Sequence, residues 1–284
     1  MTNPPLIIYH AECLDGFGAA YAAYHYFLTQ GITPDFHAAN HGEGPPPCRE
    51  RTVYILDFSY RRAVMCSLCA EAAEVIVIDH HCTALDDLAG LDAELPNLRL
   101  HFDMEQSGAV LAWQYFHPEV APPRLLLHVQ DQDLWRFKLP ATHDIGAAIW
   151  SYPFSFSRWD GWAKAQRLTV LQQDGQAINR YLGQLVEQYR KKAVIGEIAG
   201  YQIPVVNCPA AIVSPLLHRL SEGHPFAAAY QDRGTVRRWS LRSREEGADV
   251  AQIAVLFGGG GHPHAAGFGT TLPDALLCVT VPSV

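Results

Sequence analysis

The sequence predicts a two-part α/β protein, a parallel-sheet N-terminal domain joined by a long helix to a smaller mixed α/β domain. Three observations carry this reading. Leu6-Ile7-Ile8-Tyr9, Val53-Tyr54-Ile55-Leu56 and Val75-Ile76-Val77-Ile78 are short apolar runs of the kind that form strands buried on both faces, as in a parallel sheet under helices. Each run leads into potential metal ligands: His10 and Asp15 after the first, Asp57 after the second, and Asp79, His80 and His81 at the end of the third. Ligands of such sheets gather at the carboxyl ends of the strands, so these side chains stand where chemistry is expected. Finally, residues 169–194 form a long helical pattern, with Ile178, Leu182, Leu185 and Tyr189 on one face and Arg190, Lys191 and Lys192 near its end.

Taken in order, residues 16–30 are Ala-rich, with Ala19, Ala22, Ala23 and Tyr26 at helical spacing, and read as the first crossover helix. His10 and Asp15 then lie in the turn before it. Residues 38–50 contain Gly42, Gly44 and three consecutive prolines and read as a loop. Ser59 is a suitable N-cap for a helix to residue 73. A polar segment, 83–96, and a short strand, 98–102, follow. Gln106-Ser107-Gly108-Ala109 opens another helix, and Leu125-Leu126-Leu127-His128-Val129 leads to the acids Asp131 and Asp133. Beyond the long helix, residues 193–206, 226–230 and 236–241 read as strands and 214–222 and 249–257 as helices. The expected domains are 1–168, a linker helix 169–194, and 195–284. No internal repeat is evident.

Composition narrows the classes. A chain of 284 residues with 49% hydrophobic and 18% charged residues builds a substantial core and is not disordered. Its formal net charge of −8 argues against an extended nucleic-acid surface while leaving room for a small phosphorylated substrate. No apolar run approaches the ~20 residues of a membrane span, and the start of the chain lacks the pattern of a signal peptide, so a cytoplasmic location is expected. Seven scattered cysteines fit reduced thiols rather than a disulfide framework, and Cys66 and Cys69 fall within a predicted helix as packing residues.

Asp79-His80-His81 after a buried strand, Asp57 after another, and His10 with Asp15 after the first resemble the motifs of the DHH phosphoesterases. The run Gly258-Gly259-Gly260-Gly261-His262-Pro263-His264 resembles the glycine-rich motif of that superfamily's second domain. The matches span residues 6 to 268. The resemblance implies a centre of two divalent metals, with His10 and Asp57 on one and Asp15, Asp57, His80 and Asp131 on the other, Asp57 bridging; Asp133 is the alternative to Asp131. It further implies that His81 contacts the phosphate or assists the leaving oxygen, and that Asp79 orients a ligand histidine. Carboxylates with imidazoles suit Mn²⁺ or Mg²⁺, with manganese the first choice. The chain departs from the pattern at Cys13, which occupies the place of a ligand acid one residue closer to His10 than expected, with Glu12 as the neighbouring substitute. In the second domain the glycines, 259 to 261 among them, allow backbone amides to approach an anion, and His262, His264 and Arg242 offer further donors.

The reading that follows is a metal-dependent phosphoesterase acting on small nucleotides or short oligonucleotides, with the N-terminal sheet carrying the metals and the C-terminal domain gripping the substrate across a cleft. Neither a membrane nor a long nucleic acid is expected as a partner, and a homodimer is one open state of assembly. Two alternatives remain: an enzyme resembling inorganic pyrophosphatases, and a nucleotide-binding regulatory protein with a degenerate metal site.

Overall fold

The computed structural model describes residues 3–40, 42–163 and 165–272. The chain divides into two compact units, Met1–Asn179 and Arg180–Val284, with the division inside the long helix. In chain order the first unit holds β1 (Leu6–His10), α1 (Leu14–Thr29), β2 (Asp35–Ala39), β3 (Thr52–Leu56), α2 (Arg62–Glu71), β4 (Glu74–Asp79), α3 (Cys82–Leu88), α4 (Leu91–Glu94) and β5 (Leu98–Phe102). Helices α5 (Gly108–Phe116), α6 (Arg124–Asp133), α7 (Thr142–Trp150) and α8 (Phe156–Ala163) follow, and α9 (Ala165–Arg190) runs on into the second unit.

The five strands of the first unit lie in the order β2-β1-β3-β4-β5 and every neighbouring pair is parallel. Alternation along the buried strands sends their side chains into two cores. Ile7, Leu56, Ile76 and Ile78 pack with α1, α5, α6 and α7, whereas Leu6, Ile8, Val53, Ile55, Val75 and Val77 pack with Met65 and Leu68 of α2 and Leu88 and Leu91 on the other face. A sheet buried on both sides needs apolar residues at every position, which is why these runs do not alternate with polar ones. The chain leaves β1 towards one edge of the sheet and β3 towards the other, so the order reverses between them. At such a switch point the connections diverge and leave a crevice at the carboxyl ends of the strands.

Several elements differ from the sequence expectation. Strand β2, in the order an edge strand, pairs with β1 along Asp35–Ala39, so the predicted loop begins only after Ala39. Helix α1 starts at Leu14, which places Asp15 in its first turn rather than ahead of it. Helix α2 starts three residues beyond Ser59 and has no side-chain cap. The polar segment 83–96 holds the short helices α3 and α4, and Asp131 and Asp133 both lie on α6. Cys69 is buried on α2 while Cys66 on the same helix is exposed, as helix packing requires; none of the cysteines among the described residues is in a disulfide. No helix among the described residues is long and apolar enough to cross a membrane.

The second unit contains β6 (Val194–Ile198), β7 (Tyr201–Asn207), α10 (Val213–Leu220), β8 (Ala227–Arg233), β9 (Val236–Arg242), α11 (Val250–Leu256), β10 (Gly260–His262) and β11 (Ala265–Thr271). They form a mixed sheet in the order β10-β11-β9-β8-β7-β6, with only β7 and β8 parallel. The expected strand 193–206 is a hairpin, because Ala199 and Gly200 both take positive φ (51° and 83°) and turn the chain back. Residues 273–284, with Cys278 and the end of the predicted second domain, lie outside the described residues.

Candidate metal centre

The site is assembled from the ends of β1, β3 and β4, the starts of α1 and α5 and the end of α6. Asp57 follows β3 directly and is almost fully buried. Its amide donates to the carbonyl of Ile78, and its backbone is left-handed at φ 61°, a conformation that Asp and Asn tolerate better than other non-glycine residues. The turn aims its carboxylate two ways: Oδ1 lies 3.1 Å from His80 Nε2, and Oδ2 lies 3.4 Å from His10 Nδ1.

His80, just past the end of β4, is equally buried, and three carboxylates converge on its Nε2. Besides Asp57 at 3.1 Å, Asp15 Oδ2 lies at 3.4 Å and Asp133 Oδ2 at 3.5 Å. Asp15 is held by α5, whose first free amides point at it: Gly108 N donates to Oδ2 at 2.6 Å and Ala109 N to Oδ1 at 3.0 Å. Ser107 caps the same helix, its hydroxyl accepting from Val110 N. Gly108 cannot carry a side chain, since a Cβ there would stand 2.7 Å from Asp57 Cβ and 3.0 Å from Asp15 Oδ2. Neither the amides of α5 nor this glycine was singled out as functional from sequence; the Ser-Gly pair at a helix start was the available signal.

Asp131 and Asp133 have different work. Asp131, the carboxylate preferred as a ligand from sequence, instead organises the loop after α6. It accepts from Lys138 N (2.8 Å), Leu139 N (2.9 Å) and Thr142 Oγ1 (2.6 Å), and Thr142 in turn bonds the buried His128. Asp133 is the acid that reaches His80. Asp131→Asn is therefore expected to cost ~1.5–3 kcal/mol of stability with metal binding retained, and Asp133→Asn to weaken metal binding with little change in melting. Denaturant melts and metal titrations of both variants check this, and equal effects on metal binding would overturn the distinction.

Asp79 also differs from expectation. It orients His81 rather than a ligand histidine: Oδ1 lies 2.7 Å from His81 Nδ1 and accepts from the amides of His80 and His81. The His81 ring lies beside those of His80 and His10, with centroids 4.7 and 6.4 Å away.

Donors from this constellation fall into groups whose atoms lie within 4.8 Å of one another: His10 with Cys13 and Asp57, Asp15 with His80 and Asp133, and Asp57 with Asp79, His80 and His81. Cys13 stands at the N-terminus of α1, and its side chain makes no capping bond. Glu12, bent to φ 49°, is exposed and is not among these donors.

Burial and mutual repulsion set the electrostatics of the cluster. Burial pushes the Asp15 carboxyl well above the usual carboxylate range, reinforced by Asp57 and Asp133, and Asp133 is raised chiefly by burial as well. Burial acts on Asp57 in the same direction, but the neighbouring imidazoles of His10 and His80 outweigh it and hold the group well below that range. Burial works against charge on His81, and Asp79 overcomes it, so the imidazole is raised above its ordinary value. Asp57 Oδ2 and Asp133 Oδ2 are buried without a hydrogen-bond donor. Buried carboxylate oxygens that accept no hydrogen bond are costly unless a cation meets them, so the residues present fit divalent metal ions.

In the second unit the glycine run has structural reasons. Gly258 (φ 76°) ends α11, where the amides of Gly258 and Gly259 return to the carbonyls of Val255 and Ala254 in a Schellman motif. A Cβ on Gly259 would stand 2.1 Å from the carbonyl oxygen of Gly267, and one on Gly261 would stand 2.6 Å from that of Ala265. The amides of Gly258 and Gly259 are therefore committed to the helix end rather than open to an anion, which corrects the expectation for this part of the run. Gly260 and His262 lie on β10 opposite Gly267 and Ala265. Arg242 donates to Leu241 O and Ser214 Oγ, and His264 bonds Ser243 Oγ through Nδ1.

The fold and the cluster define an α/β protein with a carboxylate–imidazole centre at the switch point of a parallel sheet. The fold is similar to that of DHH domains: the DHH domain of a protein assigned to a family of ribosomal proteins superposes with a TM-score of 0.59 at 16% identity, covering 94% of this chain and 82% of that one. A pGpG-specific phosphodiesterase from Vibrio cholerae gives a TM-score of 0.49 at 13% identity, covering 96% of this chain and 95% of that one. An uncharacterized protein of Acanthamoeba polyphaga mimivirus is 30% identical over 292 residues, which take in 92% of this chain and 66% of that protein, so the chain spans about two thirds of its length. No family model matches the chain.

Proposed function

We propose that this chain is a divalent-metal-dependent phosphoesterase that hydrolyses phosphoester bonds of small nucleotides or short oligonucleotides. The observation that carries the reading is the convergence of Asp15, Asp57 and Asp133 on His80 Nε2 while the second oxygen of Asp57 faces His10. In this reading Asp57 is the shared ligand, His10 and Cys13 complete one site, and Asp15, His80 and Asp133 complete the other, which suits Mn²⁺ or Mg²⁺. Bound cations would lower the pKa of an attacking water and offset charge on the phosphoryl oxygens. The chain's own groups do the rest. The amides of α5 keep the Asp15 carboxylate in place. His81, made more basic by Asp79, holds the proton for the leaving oxygen on an imidazole beside the ligand histidines. The net charge of −8 favours small substrates over polymeric nucleic acid.

In the second unit His262 and Arg242 are the proposed phosphate-binding groups. His262→Ala is expected to weaken substrate binding by ~1.5–3 kcal/mol, the worth of one charge-assisted hydrogen bond, with metal content unchanged. Comparing KM with bound metal checks the division of roles: a variant that loses metal and keeps its KM would reverse it.

The test of the reading as a whole is hydrolysis by metal-stripped protein, before and after addition of Mn²⁺ or Mg²⁺, of dinucleotides, cyclic dinucleotides, nucleoside bisphosphates and pyrophosphate. Metal-restored cleavage of a phosphodiester or bisphosphate supports it. Nucleotide binding without turnover under any metal would make the chain a regulatory binder, and cleavage of pyrophosphate alone would move it to the other hydrolase class.

A further inference from the structure

Cys13 is the donor that sets this centre apart from an all-oxygen and imidazole site. Three features of its surroundings point the same way. The thiol is at the N-cap of α1, where a Ser, Thr or Asp would turn its side chain back to cap the helix, yet it makes no capping bond. Its sulfur falls within 4.8 Å of ligand atoms of His10 and Asp57. The oxygen that Asp57 directs to this side, Oδ2, is buried without a hydrogen-bond donor and lies 3.4 Å from His10 Nδ1. With metal bonds of ~2.0–2.2 Å to nitrogen and oxygen and ~2.3 Å to sulfur, the edges of a tetrahedral donor set come to ~3.3–3.7 Å, so the one edge measured here already has that length.

The two halves of the centre differ in softness. Asp15, His80 and Asp133, with Asp57 between the halves, offer one nitrogen among oxygens, the set preferred by Mn²⁺ or Mg²⁺. His10, Cys13 and Asp57 offer nitrogen, sulfur and oxygen, and hard ions that seek six oxygen ligands gain little from such a trio. Zn²⁺ and Co²⁺ accept four ligands and bind thiolate and imidazole strongly.

We propose that Cys13 is a thiolate ligand and that the His10–Cys13–Asp57 half selects a borderline cation such as Zn²⁺ or Co²⁺, making the centre a mixed pair with a harder ion in the other half. The inference rests on the reading of the cluster as a two-metal centre and deepens it. As the metal–sulfur bond forms, the thiol gives its proton to solvent, so occupation of this half releases one proton more than it would with a hydroxyl in place of the thiol.

The experiment uses the full chain, stripped of metal under reducing conditions, and Co²⁺ and Zn²⁺ as probes. Titration with Co²⁺ should produce a thiolate-to-cobalt charge-transfer band that saturates at one equivalent, and Cys13→Ser should lack it. Zn²⁺ titration by calorimetry in buffers of different ionisation enthalpy should show one proton more released by the parent than by Cys13→Ser. Affinity for that Zn²⁺ should fall at least ~100-fold in the variant, since losing even an outer partner of a ligand costs ~10–100-fold. Mn²⁺ binding in the other half should stay within a few-fold. A parent that binds Co²⁺ without the band, or a band that survives in Cys13→Ser, overturns the proposal while the two-metal reading stands. A parent that binds no divalent ion overturns both. The parent spectrum needs no variant, and should Cys13→Ser not fold, Cys13→Asp tests the same point, with an expected gain in Mn²⁺ binding and loss of the band.

Discussion

Asp57→Asn leaves the fold in place and lowers metal-supported turnover by at least ~10²–10³-fold, the scale on which single preorganised electrostatic groups act. The substitution isolates charge from shape. Asn matches Asp in volume, and it tolerates the left-handed backbone that this position requires at φ 61°, so the turn after β3 and the bond from its amide to Ile78 survive. In the absence of metal, Asp15, Asp57 and Asp133 crowd around one imidazole nitrogen, so neutralising one of them removes repulsion as well as attraction and the melting temperature changes little. The difference is in the response to metal. A site occupied at 100 times its Kd stabilises the fold by ~2.7 kcal/mol, and the variant loses most of that increment in both halves because Asp57 faces both. Thermal melts with and without Mn²⁺, together with turnover, check the prediction. A variant that keeps its metal-induced shift and its activity would show that Asp57 is not a shared ligand.

Gly108→Ala is expected to be nearly as damaging, although it removes no ligand. The added methyl would stand 2.7 Å from Asp57 Cβ and 2.8 Å from its Oδ1, so either α5 retreats or Asp57 is pushed out of line. Retreat lengthens the two bonds that α5 donates to Asp15. Overpacking of this kind costs ~1–3 kcal/mol, and displacement of groups that orient ligands weakens metal binding ~10–100-fold. Gly44→Ala is the matched control, because a methyl there meets nothing within 4 Å. Melting and metal affinity measured on both variants decide the matter: if the two behave alike, the close approach of α5 to the carboxylates is not a requirement of the centre.

How much of the centre can be read from the chain depends on the element that bears each residue. His10, Asp57 and His80 are legible because each ends or follows a run that is apolar at every position. Such a run means burial on both faces, and the end of a doubly buried parallel strand is a fixed place in the fold. Asp131 and Asp133 are not separable in the same way. Both are on α6, where two residues are ~200° of rotation apart and face opposite sides. Which side meets the sheet is set by how α6 packs, and the packing turns Asp133 towards His80 and Asp131 towards its own loop. Cys13 is likewise ambiguous in sequence, since the shortened spacing from His10 brings the thiol to the centre only through the left-handed turn at Glu12.

The α/β class, the second, smaller mixed domain and the strand ends at which the carboxylates and imidazoles gather are legible in the amino-acid sequence, because they follow from local periodicity and burial. Tertiary structure alone decided which acid completes the cluster, that Asp79 serves His81, and that α5 lends its free amides to Asp15. It also decided that Gly258, Gly259 and Gly261 are needed to end a helix and to let strands approach, since a glycine run in sequence does not say which backbone will lie against it. Each of these depends on the phase and distance of elements far apart in the chain, and that information resides in packing rather than in any local pattern.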